Sequence, residues 1–394
     1  MSDNIESLKL ILNQGLNDFK LMNKLRNNFK LAAIVLLNGF FTVGLFLIIG
    51  NLFAIVKINK IKQERDHNYY FRPHEKYTVA DSFGKFNATY QKNINSLEIT
   101  KYGDICHFAN YKEVGSCYFS EGARTNRFIT DKYGYKTLGN LSKAKVVLIG
   151  DSFLAGMGGE KMEEQLGWRI KNITGIDTYE AAHPGNPLHY IHRLEKIKKI
   201  SKSDKKFLIL LFEGNDFSRY EEYIKSKPWH YLRPIYVPIL KQIFNTPLGK
   251  LYASYAEKKF PKYDLPDYTI KEVSGRKQAF SNYFINASNS NLKFFPMNKF
   301  LSLKNDLCSV VFIPTASSVY LNQKSFETRH PMLKKQFDQL NNSGFQIINL
   351  TKDFKSFTKE NPNIPLWWSD DTHWNKNGIN LAAKVISKKS NCFK

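Results

Sequence analysis

No Walker loop, zinc-ligand cluster, helix-turn-helix pattern or RNP-like stretch occurs in the 394 residues. Nucleic-acid binding is left with charge and nothing else to recommend it. Acidic side chains are scarce, 35 Asp and Glu against 58 Lys and Arg, a net charge of +23 at pH 7. A surplus that large favours an anionic partner, and anionic lipid headgroups or an acidic glycan suit it. Cysteine is rare as well: Cys106, Cys117, Cys308 and Cys392, with no CxxC among them. An even count is compatible with disulfides in an oxidising compartment, Cys106–Cys117 being the easiest pair to propose, though free buried thiols suit a chain this long equally. No internal repeat is visible.

Charge is absent altogether from Leu31 to Val56, where only Asn38, Thr42 and Asn51 interrupt the apolar run. At ~1.5 Å per residue such a helix spans a ~30 Å hydrocarbon core with length to spare. It is too long, and too far from the N-terminus, for a cleaved signal peptide. The expectation is one transmembrane helix at 31–56 behind an N-terminal segment, 1–30. Lys20, Lys24, Arg26 and Lys30 precede it and Lys57, Lys60, Lys62 and Arg65 follow, so the positive-inside rule ties. The cysteines favour a cytoplasmic N-terminus, an inner-membrane anchor and a periplasmic C-terminal part.

Residues 57–140 read as a stem with short strands, among them the alternating Tyr133–Thr137. Beyond that point apolar strands alternate with helical stretches. Val146–Ile149 is uninterrupted and rich in β-branched residues, as in a strand buried on both faces of a parallel sheet. Residues 159–172 read as helix, Ile176–Ala182 as strand, 188–202 as a basic helix and Phe207–Phe212 as strand. After an interruption come strand Cys308–Pro314, helix 325–341, strand Phe345–Leu350 and a last helix. The interruption, 217–306, is rich in Tyr, Phe and Pro and carries 14 Lys and Arg against six Asp and Glu between Phe217 and Phe300. So long an insertion reads as a lid or binding element, here for an anionic glycan or the membrane surface, although a solvated structural excursion has the same composition.

Polar residues gather where these strands end: Ser152, Gly185, Asn215, and Asp370 or Asp371 with His373. Alone, Asp151-Ser152 could simply cap the next helix. Together the residues supply acyl transfer: a nucleophile (Ser152), a base (His373), an acid to orient it, and oxyanion donors from the Ser152 and Gly185 N–H groups and the Asn215 amide. His183, His189 and His192 read as surface or packing histidines. Trp367, Trp368 and Trp374 are candidates for core packing or for the walls of a cleft.

The blocks Gly150–Ser152, Gly185, Gly214–Asp216 and Asp370–His373, in that order, resemble the SGNH (GDSL-type) hydrolase superfamily over about residues 143–390. The resemblance implies a flavodoxin-like three-layer α/β/α domain at 141–394, ester chemistry through an acyl-Ser152 intermediate, and no metal or organic cofactor. Two departures stand out. Glu213 occupies the place of the glycine that opens the third block, a carboxylate that could tune the pocket. The double aspartate leaves the acid open: three-residue spacing selects Asp370, the preferred choice, whereas Asp371–Trp374 resembles the alginate O-acetyltransferase branch. Anchor, basic charge and this variant together suggest acetyl esters of cell-envelope polysaccharide, with a membrane-bound acyl donor as partner. A lipid esterase or lysophospholipase, or a non-catalytic polysaccharide-binding assembly protein on the same fold, are the rivals.

Overall fold

The computed structural model describes residues 37–42, 44–45, 48–51, 77–79, 89–108, 117–201, 204–217, 268–289, 296–321 and 324–394. The chain divides into two compact units, Met1–Glu64 with Pro238–Phe260, and Arg65–Val237 with Pro261–Lys394. In the first, the described residues between 37 and 51 are helical, and Leu37, Phe40, Phe41, Leu45, Ile48 and Ile49 are exposed. Among the described residues no helix is long and apolar enough to cross a membrane, and most of the expected 31–56 span lies outside them.

The second unit is built on a five-stranded parallel sheet. Its strands are β5 (Val146–Gly150), β6 (Thr178–Ala182), β7 (Lys206–Phe212), β10 (Leu307–Ile313) and β11 (Ile347–Asn349), in the spatial order β11-β10-β7-β5-β6. Side-chain alternation explains why these runs are apolar throughout. Val147, Ile149, Ile209, Leu211, Val310 and Phe312 face one core, shared with Leu194 and Ile197 of helix Pro187–Ser201 and Phe337 of helix Pro331–Asn342. Val146, Leu148, Leu208, Leu210, Val311 and Ile313 face the other, shared with Ile170 of helix Leu166–Thr174, Phe354 of helix Thr351–Glu360 and Ile386 of helix Lys376–Lys389. Both faces of each strand are covered, giving three α/β/α layers. The chain enters at β5, steps to β6, then crosses back to β7, so the winding reverses beside β5. Crevices for chemistry open at the carboxyl ends of the strands at such a reversal.

Two helices differ from expectation. The 159–172 segment begins as a 3₁₀ turn, Met162–Glu164, and its α-helix runs Leu166–Thr174, ended by Gly175 at φ 71°. The 325–341 segment is two helices, Phe326–Arg329 and Pro331–Asn342, broken at His330 (φ −128°, ψ 58°). Pro331 sterically disfavours helical backbone at the residue before it.

Of the expected stem, 57–140, the described residues are 77–79, 89–108 and 117–140. Strands β1 (Thr78–Val79) and β2 (Thr89–Tyr90) pair, β3 (Asn95–Thr100) pairs with β4 (Arg124–Ile129), and with helix Asp104–Phe108 they belong to the sheet's own unit. Nor are the described parts of the insertion a solvated excursion. Strands β8 (Tyr268–Val273) and β9 (Arg276–Ser281) form a hairpin whose turn holds Ser274 at φ 56° and Gly275 at φ 70°. The hairpin lies along residues 367–369: Ala279 N donates to Ser369 O at 2.9 Å, Gln278 Nε2 to Trp368 O at 2.7 Å, and Arg276 to Trp367 O. Residues 218–267 lie outside the described residues. All four cysteines are paired, Cys106–Cys117 and Cys308–Cys392.

Glu213, the residue after β7, is fully buried and turns toward the end of β10. Its Oε1 lies 2.6 Å from Arg329 Nη1 and 2.7 Å from His330 Nε2; its Oε2 accepts from Thr315 N at 2.8 Å and from Ser318 Oγ. The expected tuning carboxylate therefore serves to lock two strand ends together. Burial pushes its carboxyl up, but His330 and Arg329 overcome that and hold it below the usual range. A depressed folded value stabilises above the unfolded pKa, about 4.3, and that contribution is lost as pH falls through the folded value. We expect Glu213→Gln to cost about 3–5 kcal/mol in urea unfolding at pH 7, since it strands a buried cation. The deficit should shrink as pH falls below about 4.3, where the unfolded chain's carboxyl protonates, and level off only below the lower folded value. A deficit independent of pH would contradict this account.

Candidate active site

Beyond β5 the backbone turns rather than starting a helix. Asp151 Oδ1 accepts from Phe153 N at 2.9 Å, Ala155 N donates to Asp151 O at 3.0 Å, and Met157 N to Ser152 O at 3.1 Å. The helix-capping reading of Asp151-Ser152 falls, because the next α-helix begins only at Leu166. Gly150 makes the close turn: a Cβ there would lie 3.1 Å from Leu154 Cβ and 3.3 Å from Leu210 Cβ. Burial pushes the Asp151 carboxyl up to about 6, with the Phe153 N–H and His373 opposing.

His373 Nε2 lies 2.8 Å from Ser152 Oγ, and His373 Nδ1 lies 2.6 Å from Asp371 Oδ1. The same Asp371 oxygen accepts from His373 N at 3.0 Å. A carboxylate on Nδ1 fixes the tautomer, leaving Nε2 to accept the serine proton, and the ring packs on Phe153 at 4.8 Å. The preference for Asp370 is therefore corrected to Asp371. Asp370 faces the other way, accepting from Gly103 N and Ser120 Oγ at 2.9 Å each and from Arg124 Nη2. Two residues of separation let Asp371 fold back onto the histidine's own N–H and ring within one tight turn. Asp370 is claimed by the residues facing it.

The other strand ends flank Ser152. Gly185 follows β6 and Asn215 follows β7, the two neighbours of β5. Glycine at 185 and 214 is dictated by close approach: a Cβ at Gly185 would lie 2.9 Å from His189 Cβ, and one at Gly214 would lie 2.4 Å from the Phe212 ring and 2.5 Å from that of Phe284. The Asn215 Oδ1 has no hydrogen-bond partner among the described residues, so this amide's oxygen is not committed to the scaffold.

Several residues around the triad were missed in the sequence, all in the segment read as a stem. Buried Arg124 binds Asp370, donates to Gly158 O at 2.9 Å, comes within 3.6 Å of Asp371 and lies 4.0 Å over the Trp368 ring. Asp104 accepts from Thr372 N at 2.7 Å and from Thr372 Oγ1, and its own N–H donates to Asp371 Oδ2 at 3.1 Å. A usable signal existed: alternation in Arg124–Ile129 puts Arg124, Asn126 and Phe128 on one face, which is the buried one. An inward arginine needs buried partners.

Trp367 and Trp374 are core residues with no exposure, which removes them as cleft walls. Trp368 donates from Nε1 to Glu160 at 2.6 Å. His183 packs on Tyr90 at 4.8 Å, His189 Nδ1 lies 2.9 Å from Asn186 Oδ1, and His192 Nδ1 lies 3.5 Å from Glu195. Burial, with Arg193 and His192 nearby, lowers His189 to about 4. Among the described residues, the one His and carboxylate cluster within metal-ligand range is Asp104, Asp371 and His373, whose atoms are engaged in the bonds above. An apolar crevice lined by Ile105, Phe212, Ala279, Phe280, Phe284 and Ala316 borders Asp371, so the insertion supplies part of the site's surroundings.

No family model matches the chain, and no curated protein matches it. Among solved structures, a lipolytic protein of the G-D-S-L family from Veillonella parvula is similar at 10% identity and a TM-score of 0.31, over 62% of this chain and 96% of that one. An acetyl xylan esterase, AlAXEase, is similar at 13% identity and a TM-score of 0.30, over 62% of this chain and 98% of that one.

The aspartates divide their labour, and substitution should separate them. Asp371→Asn is expected to lower kcat for p-nitrophenyl acetate about 10⁴-fold, the cost of a wrong histidine tautomer. Asp370→Asn leaves the Asp371–His373 pair in place, so its loss of activity should be far smaller and its main effect on stability, with Arg124 left short of a buried partner. The opposite ranking would return the acid to Asp370.

Proposed function

We propose that this protein is a serine esterase or O-acyltransferase of the SGNH type. The observation that carries the reading is the continuous Ser152–His373–Asp371 chain at 2.8 and 2.6 Å. In the forward step, Ser152 Oγ attacks the acyl carbonyl carbon while His373 Nε2 takes the hydroxyl proton. Asp371 stabilises the resulting imidazolium. The N–H groups of Ser152 and Gly185 and the Asn215 amide receive the oxyanion. His373 then protonates the departing alkoxide, leaving acyl-Ser152 and free alcohol. Water or a sugar hydroxyl, deprotonated by His373, attacks the acyl carbon and releases Ser152. No step requires a cofactor.

For substrate we propose acetyl esters of a cell-envelope polysaccharide. The apolar run 31–56, taken as an inner-membrane anchor with the catalytic unit in the periplasm, supports this, as does the net charge of +23, suited to an anionic glycan. The two paired disulfides accord with an oxidising compartment. The insertion, 217–306, is proposed to recognise the glycan or the membrane surface, and a membrane-bound acyl donor is the proposed partner.

One fractionation tests nucleophile and anchor together. In cells producing the full chain, hydrolysis of p-nitrophenyl acetate should sediment with the membranes. It should fall by ~10³-fold or more in Ser152→Ala, the usual cost of removing a nucleophile. Undiminished hydrolysis by Ser152→Ala would sink the mechanism; activity confined to the soluble fraction would sink the anchor.

A further inference from the structure

Beneath the two oxyanion turns lies a buried hydroxyl that the mechanism does not use. Tyr190, on helix Pro187–Ser201, has no exposure. Its Oη lies 2.7 Å from Asp216 Oδ1 and 3.3 Å from Gly185 O. Asp216 closes the turn that carries Asn215: its Oδ2 accepts from Phe212 N at 2.7 Å, and its N–H donates to Phe212 O at 3.2 Å. Tyr190 thus touches both turns at once, the Gly185 turn through its carbonyl and the Asn215 turn through the carboxyl that closes it.

We propose that Tyr190 is a positioning residue for the oxyanion pocket, tying the Gly185 turn to the Asn215 turn through one hydroxyl that accepts a hydrogen bond from the Asp216 carboxyl and donates one to Gly185 O. The inference rests on the acyl-transfer reading above. A proton inventory supports it. A phenol donates one hydrogen, yet two acceptor-type oxygens face this one. A peptide carbonyl brings no proton, so only Asp216 can supply the second, and only as a neutral carboxyl. Its setting favours that form: burial raises it well above the usual carboxylate range, and Asp151 adds to the effect. Asp151 and Arg193 also act on the tyrosine, and Arg193 is committed to backbone carbonyls, donating to Gly150 O at 2.8 Å and His183 O at 3.2 Å. The same helix therefore fixes the backbone at the ends of β5 and β6 with Arg193, and the Gly185 and Asn215 turns with Tyr190.

Because the strut touches no substrate, its loss should appear in kcat and spare KM. In the full chain, Tyr190→Phe is expected to lower kcat for p-nitrophenyl acetate about tenfold, the worth of one good hydrogen bond in the transition state, with KM near the parent's and a lower melting temperature, since Asp216 and Gly185 O lose a buried partner. Asp216→Asn gives the second reading. An amide keeps an oxygen for Phe212 N and an N–H for Tyr190, as the neutral acid does, so kcat should stay within about threefold of the parent. If Asp216 were instead a carboxylate accepting from Tyr190, Asp216→Asn would fall as far as Tyr190→Phe, and the proposed proton arrangement would be wrong. Parent-like kcat in Tyr190→Phe, or a loss seen only in KM or melting temperature, would overturn the strut. Ser152→Ala, assayed alongside, keeps the failures apart: if it is inactive, the esterase reading survives a failed strut, and if it is active, both fall.

Discussion

One buried contact organises the end of the sheet that carries Ser152 and His373, that of the Arg124 guanidinium with Asp370. Both side chains are almost wholly withdrawn from solvent. Removing two charges from water costs several kcal/mol per ion, so such a pair adds little net stability, while losing one partner is severe. Its value here is positional. Arg124 also holds Gly158 O, in the stretch beyond Ser152, and stacks on Trp368, in the loop that carries His373. A single side chain from β4 thereby fixes the serine and histidine segments relative to each other. With Asp370 committed to Arg124, Gly103 and Ser120, its neighbour Asp371 is directed to His373.

On the opposite side the constraints are built into the sheet. β5 lies between β6 and β7, with Gly150 in register with Ala182 and Ile149 with Ile209. β5 and β6 therefore end level and β7 runs two residues further, to Phe212, while Arg193 and Tyr190 of helix Pro187–Ser201 tie these ends and the turns after them together. Glu213 locks the end of β7 to the start of helix Ala316–Tyr320 through Thr315 and Ser318. Lys136, buried, donates to Ala155 O and Gly156 O at 3.0 and 3.1 Å and braces the stretch beyond Ser152. Burial lowers Lys136, while Glu160, Glu98 and Glu180 work to keep it charged. Polar groups fill the scaffold where strands give way to turns, because backbone carbonyls buried there need donors.

The sheet and most of the site were legible in the sequence for a common reason. A strand covered on both faces leaves an unbroken apolar run, and the polar residue that ends it stands out, as Ser152, Gly185 and Asn215 do. His373 was legible from its place before the last helix. The partner of His373 was not, because spacing along the chain does not say which of two adjacent carboxylates turns inward. That choice is made by Arg124, which lies 246 residues from Asp370 along the chain. Glu213 was visible as a departure, but its direction depends on Arg329 and His330, more than 100 residues away. The break before Pro331 was readable in principle, since proline restricts the residue ahead of it. The apolar run at 31–56 is plain in sequence, and most of it lies outside the described residues.

The central claim is that Ser152 is a nucleophile activated by His373, and covalent capture tests it without presuming a substrate. The full chain would be treated with a serine-reactive fluorophosphonate, digested, and its peptides analysed by mass spectrometry. The account predicts one stoichiometric adduct on the peptide containing Ser152, formed far more slowly in His373→Ala. No adduct, an adduct on another serine, or labelling of Ser152 at an undiminished rate in His373→Ala would contradict it.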